Sequence, residues 1–371
     1  MTLQHARDEA EKLDKQYQIF ISLAQKVPGK GIPLSVKDNI CTKDLPTTAG
    51  SRILEHYHPP YDAHVITKAQ QAGYVVIGKT AMDEFGFGSF STNCAFKVPK
   101  NPRDPTRTCG GSSGGSAAHV AASMYTHQSL SESTGGSISC PAAFCGVVGL
   151  TPTYGRVSRF GLIDYANSLD KIGTMGKTVK DAAQLLTAVA GHDSRDATSL
   201  SVKEEDFTRY TSQEPKKMTI GVIKEYMEAS EPHVQKEIWN AVHRLESHGV
   251  AYQEVNLSLD FAIPTYYIIA MAEASTNLAK YCGLRYGLED EPHDAFNEYV
   301  SSIRERGFGK EAKRRILLGT YVRKAGWRDA YYIKALKARH RIITKFKKLL
   351  MDVDVLAAPT MPFLPPKFKD I

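Results

Sequence analysis

Apolar positions along this chain follow two rhythms. Leu3, Ala6, Ala10, Leu13, Tyr17 and Phe20 recur every three or four residues. That is the spacing of an amphipathic helix, and it predicts a helical N-terminal segment within residues 1–26. Pro28, Gly29 and Gly31 break the pattern. Residues 32–36 then form a short apolar run that ends on Lys37, which predicts a strand with a lysine at its mouth. Residues 63–72 read as a helix capped by Gly73, and residues 74–77 as a buried strand. The alternation continues with a helix over 181–191, a strand over 220–223, a helix over 232–249 and a strand over 251–255. Residues 264–281 and 310–350 read as mostly helical, and 353–358 as a strand arriving at Pro359.

Helices alternating with short β-branched strands predict an α/β fold, a central twisted sheet covered by helices on both faces. No repeat is present, and no linker is long enough to set off a second domain. A single domain over 1–371 is therefore expected, with its weakest seam at residues 213–217.

Composition narrows the class without naming a chemistry. At 42% hydrophobic and 23% charged residues, the chain is an ordinary globular protein rather than a disordered one. No apolar run approaches membrane-spanning length. The first 18 residues mix acids and bases without the apolar core of a targeting signal. Six cysteines lack paired spacing; Cys140 and Cys145, five apart, fit neither a redox CxxC pair nor a zinc knuckle. They read as reduced thiols, and the protein as soluble and cytoplasmic. The net charge of +7 is mild, and much of the excess collects between Arg323 and Lys348. Because no aromatic-interleaved or groove-reading motif accompanies it, that stretch reads as a solvated helix face before it reads as a surface for RNA or an acidic partner.

Chemistry concentrates between Cys109 and Tyr154. Gly110-Gly111-Ser112-Ser113-Gly114-Gly115-Ser116 leads into the small-residue run Ala117, Ala118, Val120, Ala121, Ala122. Thr134-Gly135-Gly136-Ser137 leads into the apolar stretch from Pro141 to Gly149. Flexible linkers share this glycine and serine content, but linkers are not pinned to hydrophobic elements. Two glycine turns that are so pinned predict close approach of backbone to a reacting group. The second turn can aim several amides at one point and make an oxyanion hole. A nucleophilic serine also needs a base. His56, His58, His64, His119 and His127 sit in no recognisable triad context, and His119 and His127 read as surface or helix residues. A lysine can serve if burial lowers its pKa from about 10.4 toward neutrality. Lys37, at a strand end beside Asp38-Asn39, fits that need.

Gly73-Tyr74-Val75-Val76-Ile77-Gly78-Lys79-Thr80 satisfies the phosphate-loop pattern GxxxxGK[ST]. Its four intervening residues are strand formers, so the run is expected to join the sheet rather than wrap a phosphate.

Together, Lys37-Asp38-Asn39-Ile40, the block from Gly110 to Ser116, Thr134 to Ser137, and Pro141 to Gly146 resemble the amidase signature family. The resemblance implies Ser137 as nucleophile, Ser112 as a proton relay carried on a cis peptide, and Lys37 as terminal base. It implies an oxyanion hole from the amides of Thr134, Gly135 and Gly136, together with that of Ser137. Further stretches are most like the A subunits of tRNA-dependent amidotransferases. These include Thr47 to Ser51, Gly78 to Gly86, Pro152 to Leu162, Lys313 to Tyr321, and Asp329 to Tyr332. That likeness implies a glutaminase that hydrolyses glutamine and passes ammonia to a B subunit, accompanied by a small C subunit. Misacylated Glu-tRNA(Gln) or Asp-tRNA(Asn) would be met mainly through the partner. ATP and Mg2+ would be used by the partner, with no metal or cofactor on this chain. It also implies that Tyr266 and Arg315, rather than Arg314, hold the carboxylate of free glutamine. An arginine fork suits that task because it meets a carboxylate through two hydrogen bonds.

The chain departs from the family pattern in four places. Ser133 stands where an acid usually precedes the Thr-Gly-Gly-Ser turn, with Glu132 one place earlier. Ser139 stands in place of an arginine, and the stretch from Ser116 to Ser137 is one residue longer. The family continues past the position where this chain stops, Ile371, so a C-terminal part of the family fold is expected to be absent. Two alternative functions follow: a stand-alone amidase for another small amide, or an inactive scaffold protein within a complex.

Overall fold

The computed structural model describes residues 2–214, 217–291 and 295–371. Six strands form a mixed sheet in the order β1-β3-β2-β4-β6-β5. They are β1 (Phe20–Leu23), β2 (Ile32–Lys37), β3 (Tyr74–Thr80), β4 (Gln128–Ser133), β5 (Val148–Leu150) and β6 (Lys171–Gly176). The centre is parallel, β2 pairing with β3 and with β4, while β1, β6 and β5 join antiparallel. Five helices dress this sheet: α1 (Leu3–Tyr17), α2 (His64–Gln71), α3 (Gly114–Ala122), α4 (Ser139–Cys145) and α5 (Val179–Val189). Leu34 and Val36 of β2, Leu130 of β4 and Ile172 of β6 pack with residues of α2 and α5 in one core. Leu3 and Ala10 of α1, Ala117 and Val120 of α3, and Met175 of β6 form another. This is the expected sheet covered on both faces.

Small residues let α3 lie almost on the backbone of its neighbours. A side chain at Gly115 would sit 2.6 Å from the Ala81 carbonyl oxygen and 2.7 Å from that of Ile19. Thr80 and Ser116 hydroxyls meet at 2.7 Å across the same contact. Close seating of α3 anchors the turn before it, which carries Ser112.

The chain divides into two compact units. The first comprises Met1–Thr211, Glu273–Leu317 and Pro365–Ile371, and the second Ser212–Ala272 and Leu318–Leu364. One division falls between Thr211 and Ser212; of residues 213–217, Pro215 and Lys216 lie outside the described residues. The second unit holds a parallel three-stranded sheet in the order β8-β7-β9, made of Thr219–Ile223 (β7), Ala251–Val255 (β8) and Val355–Ala357 (β9). Ile220, Val222, Met227, Val242 and Val250 form one of its cores, and Ile223, Val255, Leu257 and Val353 another.

Two expectations need correction. The N-terminal helix does not run on through residues 1–26 but stops at Tyr17. Gln18 turns left-handed (φ 58°) and donates its N–H to the Asp14 carbonyl. Phe20 keeps the helical spacing yet is buried as the first residue of β1, because the chain has already turned into the sheet. Strands β4, β5 and β6, moreover, lie where no strand was expected. Among them β4 reads Gln-Ser-Leu-Ser-Glu-Ser and is buried throughout, a composition that apolar periodicity does not detect. No helix among the described residues is long and apolar enough to cross a membrane.

Candidate active site

Lys37 ends β2 with its side chain fully buried. Its Nζ donates to Ser112 Oγ at 2.7 Å, to Glu132 Oε2 at 2.9 Å and to the Glu132 carbonyl oxygen at 3.0 Å. Three acceptors account for all three hydrogens of an ammonium. β2 and β4 run parallel with Ser35 opposite Ser129 and Val36 opposite Leu130, so the lysine and the glutamate leave the same end of the sheet.

Ser112 lies two residues before α3, on a cis Gly111–Ser112 peptide. The glycine before it is demanded by Asp83, whose Oδ2 would stand 2.2 Å from a side chain at that position. Asp83 is itself held by the amides of Ser91 and Asn93, both at 2.9 Å, and receives no side chain of opposite charge within bonding distance among the described residues. Burial pushes its carboxyl up.

Ser137 follows the Thr134–Gly136 turn and is buried, whereas Gly135 is exposed and Gly136 half-buried, so the turn opens outward over the serine. Among the described residues no protein group bonds the Ser137 hydroxyl. The structure thus brings Lys37 and Ser112 together, and shows no hydrogen bond between Ser112 and Ser137. Gly136 has φ 131°, a backbone shape that favours glycine. Its amide donates to Ser133 Oγ at 3.1 Å, and its carbonyl accepts from Ser139 Oγ at 3.3 Å. The two serines that depart from the family pattern therefore clamp Gly136 from both sides.

Beneath the turn lies a polar cluster that the sequence reading did not assemble. Glu132 is 1% exposed. Its Oε2 also accepts from Asn39 Nδ2 at 3.2 Å, and its Oε1 lies 2.8 Å from Thr134 Oγ1. The same threonine oxygen lies 2.8 Å from Asp170 Oδ1, while Asp170 Oδ2 accepts the amides of Tyr165 and Ala166. Burial, reinforced by the charge of Glu132, holds the Asp170 carboxyl well above its ordinary range. A lone acid in the serine-rich β4 was the signal available in the sequence. What it lacked was Asp170, brought beside it only by the antiparallel register of β4 and β6.

Arg315 is 6% exposed, Arg314 turned outward. Arg315 donates from Nε to Glu311 at 2.9 Å and from Nη1 to the Tyr165 hydroxyl at 2.5 Å, with its guanidinium over the Phe87 ring at 5.1 Å. Tyr266 belongs to the second unit, where it is half-buried with its ring edge-on to Tyr267 at 5.3 Å.

The phosphate-loop pattern is strand β3 along its length from Tyr74. Lys79 is fully buried, 2.7 Å from Thr47 Oγ1 and 3.4 Å from Asp38 Oδ1. The run joins the sheet, as its strand-forming residues implied, and the Lys79 ammonium serves an internal ion pair. His119 is no surface residue: it lies wholly inside α3 against the Phe20 ring at 4.7 Å, and burial pushes it down to about 3. Among the described residues, no histidine enters the Lys37–Ser112 contact.

Comparison with known proteins gives the family. The family described as Amidase matches residues 1–371. The A subunit of the glutamyl-tRNA(Gln) amidotransferase of Methanosarcina mazei is 47% identical over 96% of this chain and 73% of its own. Its counterpart of the same name in Thermodesulfovibrio yellowstonii is 50% identical over 91% of this chain and 70% of its own. Among solved structures, the counterpart from Thermotoga maritima superposes with a TM-score of 0.82 at 38% identity, covering 99% of this chain and 78% of its own.

Proposed function

The chain belongs to the amidase family, and from that membership we propose that it is the glutamine-hydrolysing A subunit of a tRNA-dependent amidotransferase. One observation carries the chemistry: a lysine amine with no solvent exposure stands 2.7 Å from the hydroxyl of Ser112. Identity of nearly half over almost the whole chain to proteins of that name supports the substrate.

In the proposed reaction Ser137 Oγ attacks the carboxamide carbon of glutamine. Its proton passes to Ser112 and from Ser112 to Lys37. The oxygen of the tetrahedral intermediate takes charge opposite the amides of the turn, where each well-placed donor is worth about 2.7–4 kcal/mol. Thr134, Gly135 and Ser137 supply them, and Gly136 joins when Ser133 releases its amide. The proton returns through Ser112 to the leaving nitrogen, ammonia departs, and water hydrolyses the glutamyl ester on Ser137 by the same route. Arg315 holds the α-carboxylate of glutamine, so that only a free amino acid is properly seated. Ammonia then reaches a B subunit, joined by a small C subunit, which uses ATP and Mg2+ to amidate Glu-tRNA(Gln) or Asp-tRNA(Asn).

Ammonia release from glutamine tests this reading, measured for the native chain and for Ser137→Ala, each with and without the partner proteins. Release that requires Ser137 and rises with the partners is expected. Equal turnover of many unrelated amides without any partner would contradict it.

A further inference from the structure

A lysine serves as base only as a neutral amine, yet Lys37 is surrounded as an ammonium would be. Three acceptors meet its nitrogen, one of them a carboxylate oxygen at 2.9 Å. Both partners of that ion pair are out of water, with side-chain exposure of 0% and 1%. Desolvation in such a place penalises the charged pair against the neutral pair formed by moving one proton across the hydrogen bond.

The far side of Glu132 bears on where that proton can go. Thr134 Oγ1 lies 2.8 Å from Glu132 Oε1 and 2.8 Å from Asp170 Oδ1. A hydroxyl has one hydrogen, so it can donate to only one of the two. The other contact is a hydrogen bond only if that carboxyl carries a proton. Glu132 and Asp170 are thus two buried carboxyls joined through one threonine hydroxyl. Among the described residues, Tyr165 donates its amide to Asp170 and takes Arg315 on its hydroxyl, and the charges of Lys37 and Arg315 both act on the buried Asp83. Asn39, from β2's end, adds a neutral donor to Glu132.

We propose that Glu132 is a further member of the proton relay in this chain, accepting a proton from Lys37 so that the amine can take the one arriving from Ser112. This rests on the serine-amidase reading above. The balance is simple. The Lys37 ammonium gives one proton to the Glu132 carboxylate, leaving an amine and a carboxylic acid. The amine then receives the Ser112 proton as Ser112 receives that of Ser137, and each step reverses when nitrogen leaves as ammonia. Glu132 acts through Lys37 and touches no substrate, so it is a positioning residue with a proton to hold.

The test follows the pH dependence of Ser137 modification by a fluorophosphonate, read by intact-protein mass on the full chain. This readout needs neither glutamine nor a partner. For the native chain the labelling rate is expected to hold level from pH ~8 down to pH ~6, where a free lysine amine is almost wholly charged. Glu132→Gln keeps the shape and removes the acceptor. Its rate at pH 7 is expected to fall at least about tenfold, to recover as pH rises toward that of a free amine, and to be largely restored in Glu132→Asp. A merely structural role would lower the rate equally at all pH values. A glutamate that only held Lys37 charged would, when removed, move the acid limb to lower pH and speed labelling at pH 7. Either result overturns the proposal. Should neither variant fold, a native profile that already falls away below pH ~8 would overturn it. Native labelling with the level profile, but no ammonia from glutamine, would support the relay and sink the glutaminase reading alone.

Discussion

Strands β4 and β7 sit in different units and reach burial by opposite means. β7, Thr219–Ile223, is apolar, and its Ile220 and Val222 join a core with Met227, Val242 and Val250. β4 contributes only Leu130 to a hydrophobic core. Its Ser129 hydroxyl is spent on the Ser35 carbonyl at 3.0 Å, and its Glu132 on Lys37, Asn39 and Thr134. Burying apolar area stabilises a strand without specifying any chemistry. Burying polar groups costs free energy unless they are bonded; Ser129 and Glu132 have their partners fixed by that requirement, while the buried Ser131 hydroxyl has no hydrogen-bond partner among the described residues. The first strand contributes stability; the second contributes reactivity that stability elsewhere must support.

The largest expected effect falls on the reactive side. Ser137→Ala and Lys37→Ala should each lower glutamine hydrolysis by about 10⁴-fold or more, since members of one relay fail together. Activity within tenfold of native in either, by ammonia release, would break the contrast.

Next comes the internal pair behind the false phosphate loop. Lys79→Met strands Asp38, whose carboxyl burial already pushes up against the pull of Lys79. A loss of about 3–5 kcal/mol in urea unfolding is expected, with no protection of the native chain by ATP and Mg2+ in thermal melts. A clear shift of the melt with ATP would revive the phosphate-binding pattern.

His119 supplies the pH-dependent case. Burial, with a smaller push from Lys177, takes it down to about 3 in the folded chain, against about 6.5 when unfolded. Below pH ~6.5 the unfolded chain binds the extra proton, so stability falls as pH drops toward 3, by at most about 1.4 kcal/mol per unit. Stability curves of His119→Leu should be flatter across that window, and parallel curves for both proteins would show that the ring is not the source.

The smallest effect belongs to the second unit. Ile220→Val should cost about 0.5–1.5 kcal/mol and leave Ser137 labelling of the folded protein unchanged. A change in labelling rate would mean that this core reaches the chemistry after all.

Legibility followed the same division. The parallel strands β2, β3 and β7 were readable because apolar runs carry their own signal, whereas β8, Ala-Tyr-Gln-Glu-Val, was read from its place after a long helix. The glycine turns before α3 and α4 were readable because tight backbone needs glycine. β4 was not, because its partners are hydrogen bonds rather than apolar contacts. Nor was β1, where Phe20 continues a helical spacing that Gln18 has already ended. Lys37, Ser112 and Ser137 stood out through family resemblance, whereas the cluster of Glu132, Thr134 and Asp170 depended on a β4–β6 register that no spacing along the chain encodes.

The central claim is that Ser137 forms a covalent glutamyl intermediate. Acid-quenching the enzyme during turnover of glutamine and mapping the modified peptide by mass tests it most directly. A glutamyl adduct on Ser137, absent in Ser137→Ala, is the predicted result. Ammonia release with no adduct, or with the adduct on another residue, would contradict it.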